Sequence, residues 1–593
     1  MDSKKTKSVT GKAFDVNLLK RIYAYVKPIK KYFFLSVFIS ILFAFLSPIR
    51  PLLVQYTVDH YIIIPHAGML LKMTLLLVGF LELEGILQFV DTYMSAWIGQ
   101  SVIKKLRVEL YGHIIKLRLK YFDNTPIGVL VTRSVSDIET IADIFSEGIV
   151  VIMGDILKLT VIIGVMFYTN VKMSLITLSI MPILLISANI FKNAVKASFQ
   201  DVRNQVAHLN GFVQEHITGM GVVQIFNREE TELQKFKEIN QAHRDANIRS
   251  IWYYSVFFPV VEILSSVAIA LLIWTGGKSV IGNTASLGEI MAFIMYINML
   301  FRPIRQLADR FNTLQMGMVG SERVFKLLDT KEFIDDKGTA SADTITGDIE
   351  FKNVWFAYND EDWILKNLSI KIKTGETIAL VGATGAGKSS IVNLVNRFYE
   401  YNKGSISIDG KNVRDYSLSS LRKNIAFVPQ DVFLFSDSIL NNISLNNAEI
   451  TKEKIIEAGK MIGAHEFISA LPGDYNFDVK ERGALLSVGQ RQLISFIRAY
   501  VHDPRILILD EATSSIDTES EVLIQRAIEK LTQNRTSIIV AHRLATIKKA
   551  DKIIVLDKGE LLEIGTHDEL IRLNGQYKKL FELQFKSDHA GTV

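Results

Sequence analysis

The stretch Gly382-Ala383-Thr384-Gly385-Ala386-Gly387-Lys388-Ser389-Ser390 decides the fold of the C-terminal half of this 593-residue chain. It fits the pattern G-x-x-x-x-G-K-[ST] and follows the apolar, strand-like residues 376–381. In such a loop, backbone N–H groups converge on phosphate oxygens, and the following helix directs its positive dipole end at the same charge. Lys388 is expected to reach the β- and γ-phosphates, and Ser389 to ligate Mg²⁺. A plain glycine turn would not explain this lysine and this hydroxyl, so the stretch predicts nucleotide binding.

Two further motifs accompany the loop. Residues 506–510 have the pattern of a buried parallel strand, and they end in the adjacent carboxylates Asp510 and Glu511. Asp510 suits the water-mediated shell of Mg²⁺, and Glu511 suits a base that polarises the attacking water. Upstream, Ser487 and Gly489 stand at a predicted helix start, where a γ-phosphate can bind.

In this order, the phosphate loop, the segment 486–490 and the acidic pair resemble the nucleotide-binding domain of ATP-binding-cassette (ABC) transporters. The resemblance implies an α/β P-loop NTPase domain that hydrolyses ATP with Mg²⁺. It makes Gln430, Glu511 and His542 catalytic and adds Gln430 to the Mg²⁺ ligands Ser389 and Asp510. It also implies that Tyr358 stacks on adenine. The nucleotide-binding residues are then Tyr358, Gly382, Ala383, Thr384, Gly385, Ala386, Gly387, Lys388, Ser389 and Ser390.

The resemblance also defines a signature segment that acts on the ATP held by a partner cassette. Its residues are Ser487, Val488, Gly489 and Gln490, and Asp517 belongs to a loop that crosses the same interface. Val488 departs from the family's usual LSGGQ, in which this position is glycine. A β-branched residue restricts the loop, so we expect a modest effect on the partner's site. Similar variants in two-chain exporters make Val488 a weak hint of a heterodimer.

The N-terminal half has a different composition. The chain is 49% hydrophobic, with a mean hydropathy of +0.22, which is high for a soluble protein. Six apolar segments predict an all-α, six-helix transmembrane domain ahead of the cassette. These segments are Phe33–Ile49, Lys72–Val90, Gly148–Tyr168, Met173–Phe191, Ile251–Trp274 and Leu287–Phe301. A cassette fused after six spans resembles the arrangement of ABC exporters.

Lysines and arginines concentrate in the two long loops between these segments, which places both loops and both termini in the cytoplasm. We expect these loops to be helices that turn near 134–139 and 211–219. The resemblance implies short coupling helices at such turns, and residues 121–128 resemble the first of them. No targeting sequence is recognised, so the expected location is the cytoplasmic (inner) membrane of a bacterium.

The predicted domains follow from these patterns. They are an N-terminal tail with an interfacial elbow helix (1–31), the transmembrane domain (32–329), a linker (330–347), the nucleotide-binding domain (348–585) and a loose C-terminal tail (586–593). The chain has no cysteine, which excludes disulfides. Its net charge of +5 is spread over membrane flanks and gives no reason to expect a nucleic-acid partner.

Charged residues interrupt the apolar segments. Asp155 and Lys158 are three apart and are expected to pair on one helix face. Glu82 and Glu84 are two apart and should point in different directions. We hypothesise that Glu82 or Glu262 lines a substrate cavity and favours cationic or zwitterionic amphiphiles. Interhelical hydrogen bonding is the alternative role for these carboxylates.

One cassette for each six spans implies a dimer, because an ABC ATP site needs a second cassette. The resemblance therefore implies a homodimeric or heterodimeric half-transporter in membrane lipid. It implies ATP-driven export of an amphipathic drug, lipid or peptide by alternating access. An ATP-gated channel is a second interpretation. A soluble cassette ATPase is a third, although it would not need six apolar spans.

Overall fold

The structure is a computed structural model and describes residues 15–359, 361–510, 518–541 and 543–585. The predicted residues Glu511, Asp517 and His542 lie outside the described residues, as do 1–14 of the N-terminal tail and 586–593. The chain forms two compact units. The first comprises Met1–Ile115 and Pro126–Thr330, and the second comprises Lys116–Thr125 and Lys331–Val593.

The described part of the first unit is helical. Its α-helices are Val16–Val26, Lys30–Leu46, Ile49–Thr57, Ala67–Ile114, Ile127–Thr132, Ile138–Asp143, Ile149–Thr169, Val171–Leu178, Met181–Thr218, Met220–Ile225, Glu229–Ile281 and Leu287–Leu328. Lys27–Ile29 is a 3₁₀ turn, and the π-turns are Val58–Ile62, Arg133–Asp137 and Ile144–Gly148. Helix Val16–Val26 coincides with the predicted elbow helix.

Four helical segments among the described residues are long and apolar enough to cross a membrane. They are Val16–Ile62, Ile127–Thr169, Val171–Thr218 and Glu229–Ile281. The predicted second and sixth spans lie within the long helices Ala67–Ile114 and Leu287–Leu328, whose apolar runs are interrupted by charged residues. A helical transmembrane domain is therefore confirmed, while the membrane crossing of these two helices stays a prediction.

The turn after the second predicted span differs from one expectation. Helix Ala67–Ile114 ends where a reversal over residues 115–126 begins, and this reversal contains the short helix Leu119–Asn124. Residues 134–139 lie beyond the turn, so placing the turn there was wrong. Asp137, one of these residues, is buried and forms an ion pair with Arg323 at 3.5 Å. This pair explains why a polar residue can lie inside a helix bundle. The second turn falls at Gly219, as predicted.

Asp59, in the π-turn Val58–Ile62, joins this turn to the start of helix Leu287–Leu328. Its carboxylate accepts hydrogen bonds from the Ser286 hydroxyl (2.6 Å) and the Gly288 N–H (2.8 Å). These donors lie at the start of helix Leu287–Leu328, where backbone N–H groups have no intrahelical partner. Asn170 likewise donates to Glu289 at 2.9 Å. These bonds fix where the last long helix begins.

The second unit contains two sheets. One is antiparallel in the order β2-β1-β4-β5, and the other has the order β10-β9-β3-β8-β7-β6 and is parallel except for β10. The strands are β1 Ile349–Ala357, β2 Trp363–Ile372, β3 Thr377–Val381, β4 Lys403–Ile408, β5 Lys411–Asn412, β6 Ile425–Val428, β7 Ile506–Asp510, β8 Thr536–Val540, β9 Lys552–Asp557 and β10 Glu560–Gly565. This confirms the predicted α/β domain after the helical one.

Both faces of the parallel sheet are buried, one mainly by helices and the other by the antiparallel sheet together with helix Lys388–Val395. Along β3, Ile378 and Leu380 pack into one hydrophobic core, while Ala379 and Val381 pack into the other. The α-helices of this unit are Leu119–Asn124, Lys388–Val395, Leu418–Lys423, Ile439–Ser444, Lys452–Ile462, His465–Ser469, Val488–Val501, Thr518–Thr532, Leu544–Lys549, His567–Leu573 and Gln576–Phe585. Short 3₁₀ turns are Asp474–Asn476 and Glu481–Gly483.

The residues that precede β1 form hydrogen bonds with the rest of the second unit. Arg397 is fully buried and donates to the Asp335 carbonyl at 2.9 Å. Asp409 accepts from the N–H groups of Gly347 (3.1 Å) and Asp348 (2.8 Å) and from both the N–H and the hydroxyl of Thr346. Burial alone would raise the pKa of Asp409, but these donors outweigh it and hold the pKa below its usual value.

Candidate nucleotide-binding site

The phosphate loop joins β3 to helix Lys388–Val395 and depends on glycine at two points. Gly387 has φ of +100°, in the left-handed region that favours glycine. A Cβ on Gly382 would lie 2.3 Å from the Leu556 carbonyl oxygen, so only glycine fits between the loop and β9. The loop therefore takes its tight path because these two positions have no side chain.

The Lys388 side chain folds back over this loop. Its amine donates to the carbonyl oxygens of Gly382 (2.5 Å) and Ala383 (3.1 Å). Burial lowers the pKa of Lys388, and the negative charge of Asp510 partly opposes this effect. The cation thus lies inside the loop, where the β- and γ-phosphates are expected.

The other expected ligands follow the carboxyl ends of neighbouring strands. Leu380 of β3 pairs with Val540 of β8, which in turn pairs with Asp510 of β7. Val428 of β6 pairs with Leu509 of β7, and the exposed Gln430 follows two residues later. Because carboxyl ends of parallel strands meet at one edge, Lys388, Asp510 and Gln430 share this edge. Glu511 and His542 follow β7 and β8 in sequence but lie outside the described residues.

The residues expected to hold Mg²⁺ have suitable chemistry. Ser389 exposes its hydroxyl at the start of the loop helix, and Asp510 supplies a carboxylate at the sheet edge. Mg²⁺ prefers oxygen ligands and is usually bound by one or two protein groups together with waters and substrate phosphates. The described residues contain no cluster of three or more His, Cys, Asp or Glu that could hold a metal alone. The donor set therefore fits Mg²⁺ that is bound together with a nucleotide.

Tyr358 lies beside the loop helix in an aromatic cluster. Its hydroxyl is 3.1 Å from the Ser390 hydroxyl and accepts from Asn393 at 3.1 Å. Its ring makes edge-to-face contacts with Phe356 (centroids 4.7 Å apart) and Tyr399 (4.8 Å). This places the predicted adenine-stacking aromatic next to the phosphate loop.

Sequence reasoning missed how this cluster contacts helix Leu119–Asn124. The Lys120 amine donates to the Tyr358 carbonyl at 2.5 Å, and the Tyr399 hydroxyl donates to the Asp123 carboxylate. The two aromatic positions thus contact the helix that lies within the reversal over residues 115–126. The sequence predicts a coupling segment at residues 121–128, but no local pattern identifies the residues that contact it.

The signature segment caps a helix. Ser487 is the N-cap of helix Val488–Val501, where its hydroxyl accepts from the Gln490 N–H (3.2 Å) while the Gln490 side chain accepts from the Ser487 N–H (3.0 Å). This reciprocal arrangement is a capping box. Val488 is the first helical residue, with no left-handed backbone and 46% of its surface exposed, whereas Gly489 is buried. The valine is therefore accommodated without backbone strain.

The carboxylates of the predicted membrane spans fall into two groups. Glu84 is buried and pairs with Arg50 at 3.3 Å, while Glu82 points to an exposed face, which confirms that the two glutamates diverge. Glu262 is also exposed, and it has an interaction partner within the structure. The expected ion pair between Asp155 and Lys158 was wrong, because Asp155 pairs instead with Arg310 of a neighbouring helix.

Comparison with known proteins gives matches along most of the chain. Residues 33–304 match the family of ABC transporter transmembrane regions, and residues 365–514 match the ABC transporter ATPase family. A Bacillus subtilis protein, provisionally named multidrug export ATP-binding/permease protein YgaD, is 38% identical over 96% of this chain and 100% of its own length. An ATP-dependent lipid A-core flippase of Desulfotalea psychrophila is 36% identical over 96% of this chain and 99% of its own. A flippase of the same name from Syntrophus aciditrophicus is 34% identical over 97% of this chain and 96% of its own length.

The helical unit and the phosphate-loop site together define a membrane transporter with its own ATPase. With relatives aligned over almost their whole length, the chain belongs to the ABC transporter family, with its transmembrane region and ATPase domain fused in one polypeptide. Its activity is ATP hydrolysis coupled to export, and the apolar helices exclude the soluble ATPase interpretation.

Proposed function

We propose that two copies of this chain, or this chain and a related half, export an amphipathic drug, lipid or peptide across the bacterial cytoplasmic membrane. The observation that carries the proposal is the placement of two half-sites in one unit. The phosphate loop lies at the sheet edge, and a separate exposed N-cap, Ser487, begins the signature helix. Each half-site is completed by the opposite half-site of a second cassette.

The roles of this chain's residues in hydrolysis follow from their positions. Tyr358 stacks on adenine, and Lys388 holds the β- and γ-phosphates. Ser389, Asp510 and Gln430 would hold Mg²⁺, which would supply positive charge to offset the negative charge developing on the phosphates. Glu511 polarises the attacking water, and His542 holds the γ-phosphate.

The partner cassette completes the site with its signature. Ser487 and Gly489 present a hydroxyl and helix N–H groups to the partner's γ-phosphate, and Gln490 keeps this N-terminus ordered through the capping box. Val488 lies beside these donors without distorting them, and Asp517 contacts the opposite cassette. ATP closure of the two cassettes then favours the outward-facing state, and hydrolysis resets the cycle.

The names of the relatives support an amphipathic substrate. Multidrug export and lipid A-core flipping are stated for the Bacillus and Desulfotalea proteins respectively. Glu82 and Glu262 are candidates to line the cavity, since both are exposed on long helices of the membrane unit. If both can be changed to glutamine without altering drug-stimulated ATPase activity, their proposed cavity role is wrong.

The decisive experiment measures ATPase activity of the purified chain in lipid across a panel of amphiphilic drugs and phospholipids. Wild type and Glu511→Gln are compared, with ATP binding as a folding control. Turnover that Glu511→Gln abolishes, together with ATP-dependent movement of a stimulating compound, supports a competent homodimeric exporter. Negligible turnover in an ATP-binding sample indicates a missing partner half. If a compound moves down its own concentration gradient without ATP turnover, this contradicts the exporter and favours a channel.

A further inference from the structure

Residues 116–125, within the first reversal, pair with the start of the predicted linker. This segment belongs to the second unit, although the chain before and after it belongs to the first. Leu117 is buried and forms an isolated antiparallel bridge with Phe333. Beside this bridge, the Arg118 N–H donates to the Glu332 carbonyl at 2.9 Å. We call these four residues the linker joint.

An ion pair reinforces the linker joint. The Arg118 guanidinium donates through two of its nitrogens to one carboxylate oxygen of Glu332, at 3.2 and 3.1 Å. Two donors on one planar group restrict its orientation. The side chains are 41% and 39% exposed, so the pair contributes more to geometry than to stability. The main-chain bridge and the ion pair together hold Arg118 beside the linker.

The linker joint fixes where helix Leu119–Asn124 begins. Arg118 is the N-cap residue of this helix, and its extended backbone (φ −67°, ψ 154°) leads the chain into the first turn. A helix of six residues is too short to be stable alone, so its position depends on contacts outside the helix. The linker joint supplies such a contact at the first end of the helix.

The same helix contacts the aromatic cluster at the expected adenine site. The Lys120 amine donates to the Tyr358 carbonyl at 2.5 Å, and the Asp123 carboxylate accepts from the Tyr399 hydroxyl. Tyr358 and Tyr399 pack edge to face, with ring centroids 4.8 Å apart. Continuous contacts therefore run from Glu332 in the linker to the residue that is expected to stack on adenine.

We propose that Arg118 and Glu332 are positioning residues for the nucleoside part of ATP. The linker joint holds the start of helix Leu119–Asn124, and Lys120 of that helix holds the Tyr358 backbone. The inference rests on the proposed stacking role of Tyr358, and it extends that role to a segment that precedes the cassette in the sequence. The triphosphate contacts the loop 382–390 and should bind independently of the linker joint.

The test measures, by calorimetry, the binding of ATP and of inorganic tripolyphosphate to the purified full-length chain in lipid. Mg²⁺ is omitted so that ATP is not hydrolysed. Tripolyphosphate lacks the nucleoside, so the ratio of the two dissociation constants, which we call the ATP preference, isolates the contribution of the nucleoside. Arg118→Glu places two carboxylates together and should lower the ATP preference about threefold to fivefold, with unchanged tripolyphosphate binding. Arg118→Glu with Glu332→Arg reverses the pair and should recover most of the preference.

A matched control pair lies in the first unit. The Arg107 guanidinium donates to the Glu139 carboxylate at 2.9 Å, and these side chains are 45% and 55% exposed. Arg107→Glu should keep the ATP preference, because both residues of this pair belong to the first unit. An equal loss in Arg107→Glu, or no recovery when the Arg118–Glu332 pair is reversed, would overturn the inference.

A disulfide across the bridge provides a second measurement. Residues opposite each other in an antiparallel pair are close enough for a disulfide, and the chain has no cysteine of its own. Leu117→Cys with Phe333→Cys should oxidise readily, and the oxidised and reduced forms of one sample should have the same ATP preference. In Arg118→Glu, the same disulfide should restore the lost preference. A disulfide that fails to form, or a lower preference after oxidation, would contradict a joint that stays closed when ATP binds.

Tyr358→Ala separates this inference from the proposal on which it rests. Loss of the ATP preference in Tyr358→Ala but not in Arg118→Glu would overturn the inference alone. A retained preference in Tyr358→Ala would overturn the stacking role and the inference with it. The export function is tested independently by ATP turnover in lipid, since a chain without its partner half would still bind ATP.

Discussion

The hydroxyl of Tyr399 donates a hydrogen bond to the carboxylate of Asp123, a residue 276 positions earlier in the chain. Burial raises the pKa of Tyr399, and the bond to Asp123 raises it further, so the phenol stays protonated and keeps its donor at neutral pH. Since Tyr399 also packs on Tyr358, the expected adenine site and helix Leu119–Asn124 share one contact network. Movement of this aromatic cluster on ATP binding would therefore reach that helix directly.

Tyr399→Phe should loosen helix Leu119–Asn124. A hydrogen bond to a charged group contributes about 1.5–3 kcal/mol, less when exposed, so amide hydrogen exchange in the helix should rise by roughly tenfold. Hydrogen exchange with mass spectrometry measures this directly. Tyr401→Phe is the control, because the Tyr401 hydroxyl bonds to Asn412 within the same unit. Unchanged exchange in 119–124 with Tyr399→Phe would show that the contact does not hold the helix.

Gly382→Ala should abolish ATP binding. The added methyl group would lie 2.3 Å from the Leu556 carbonyl oxygen, and relieving this overlap costs about 1–3 kcal/mol and displaces the loop. Equilibrium binding of a fluorescent ATP analogue reports the loss. Gly375→Ala serves as the control. Gly375 has a left-handed backbone, so an added Cβ costs about 1 kcal/mol of backbone strain, but this Cβ would face open space. Normal ATP affinity in Gly382→Ala would mean that the loop tolerates displacement.

Val488→Gly should change ATPase activity by less than about threefold, because Val488 is exposed and already helical. Ser487→Ala, by contrast, removes both the helix cap and the hydroxyl offered to the partner's phosphate, and should lower activity by more than about tenfold. Steady-state phosphate release measures both variants. A rise of more than tenfold in Val488→Gly would indicate that the valine itself weakens the partner's site.

Asp409 should make the stability of the ATPase unit depend on acidic pH. Its pKa is lower in the folded chain than in the unfolded one. Its contribution is therefore complete above pH about 4 and is lost as the pH falls through the lower folded value. Asp409→Asn should lower the thermal unfolding midpoint at pH 7, and the difference from wild type should shrink towards pH 3. For Asp431→Asn, an exposed control, a pH-dependent difference of similar size would contradict this assignment.

The local structure at the motifs of the expected ATP site could be predicted from the sequence. The loop 382–390, the strand before Asp510 and the capped helix at Ser487 are local patterns, and the structure forms the expected strand, loop and helices at each of them. Glycine positions, strand periodicity and N-caps act over a few residues, which is why such motifs can be read directly. The first turn was placed wrongly, because polar residues such as Asp137 can be buried when a distant partner neutralises them.

The sequence by itself determined that this chain has a helical membrane domain followed by a phosphate-loop ATPase, because apolar run lengths and loop motifs are local properties. Only the tertiary structure decided which distant groups meet. It pairs Asp155 with Arg310 rather than with Lys158, and Glu84 with Arg50. It also brings Asp123 to Tyr399. Such pairs depend on how separate helices and strands pack, and the local pattern around either partner does not encode that packing.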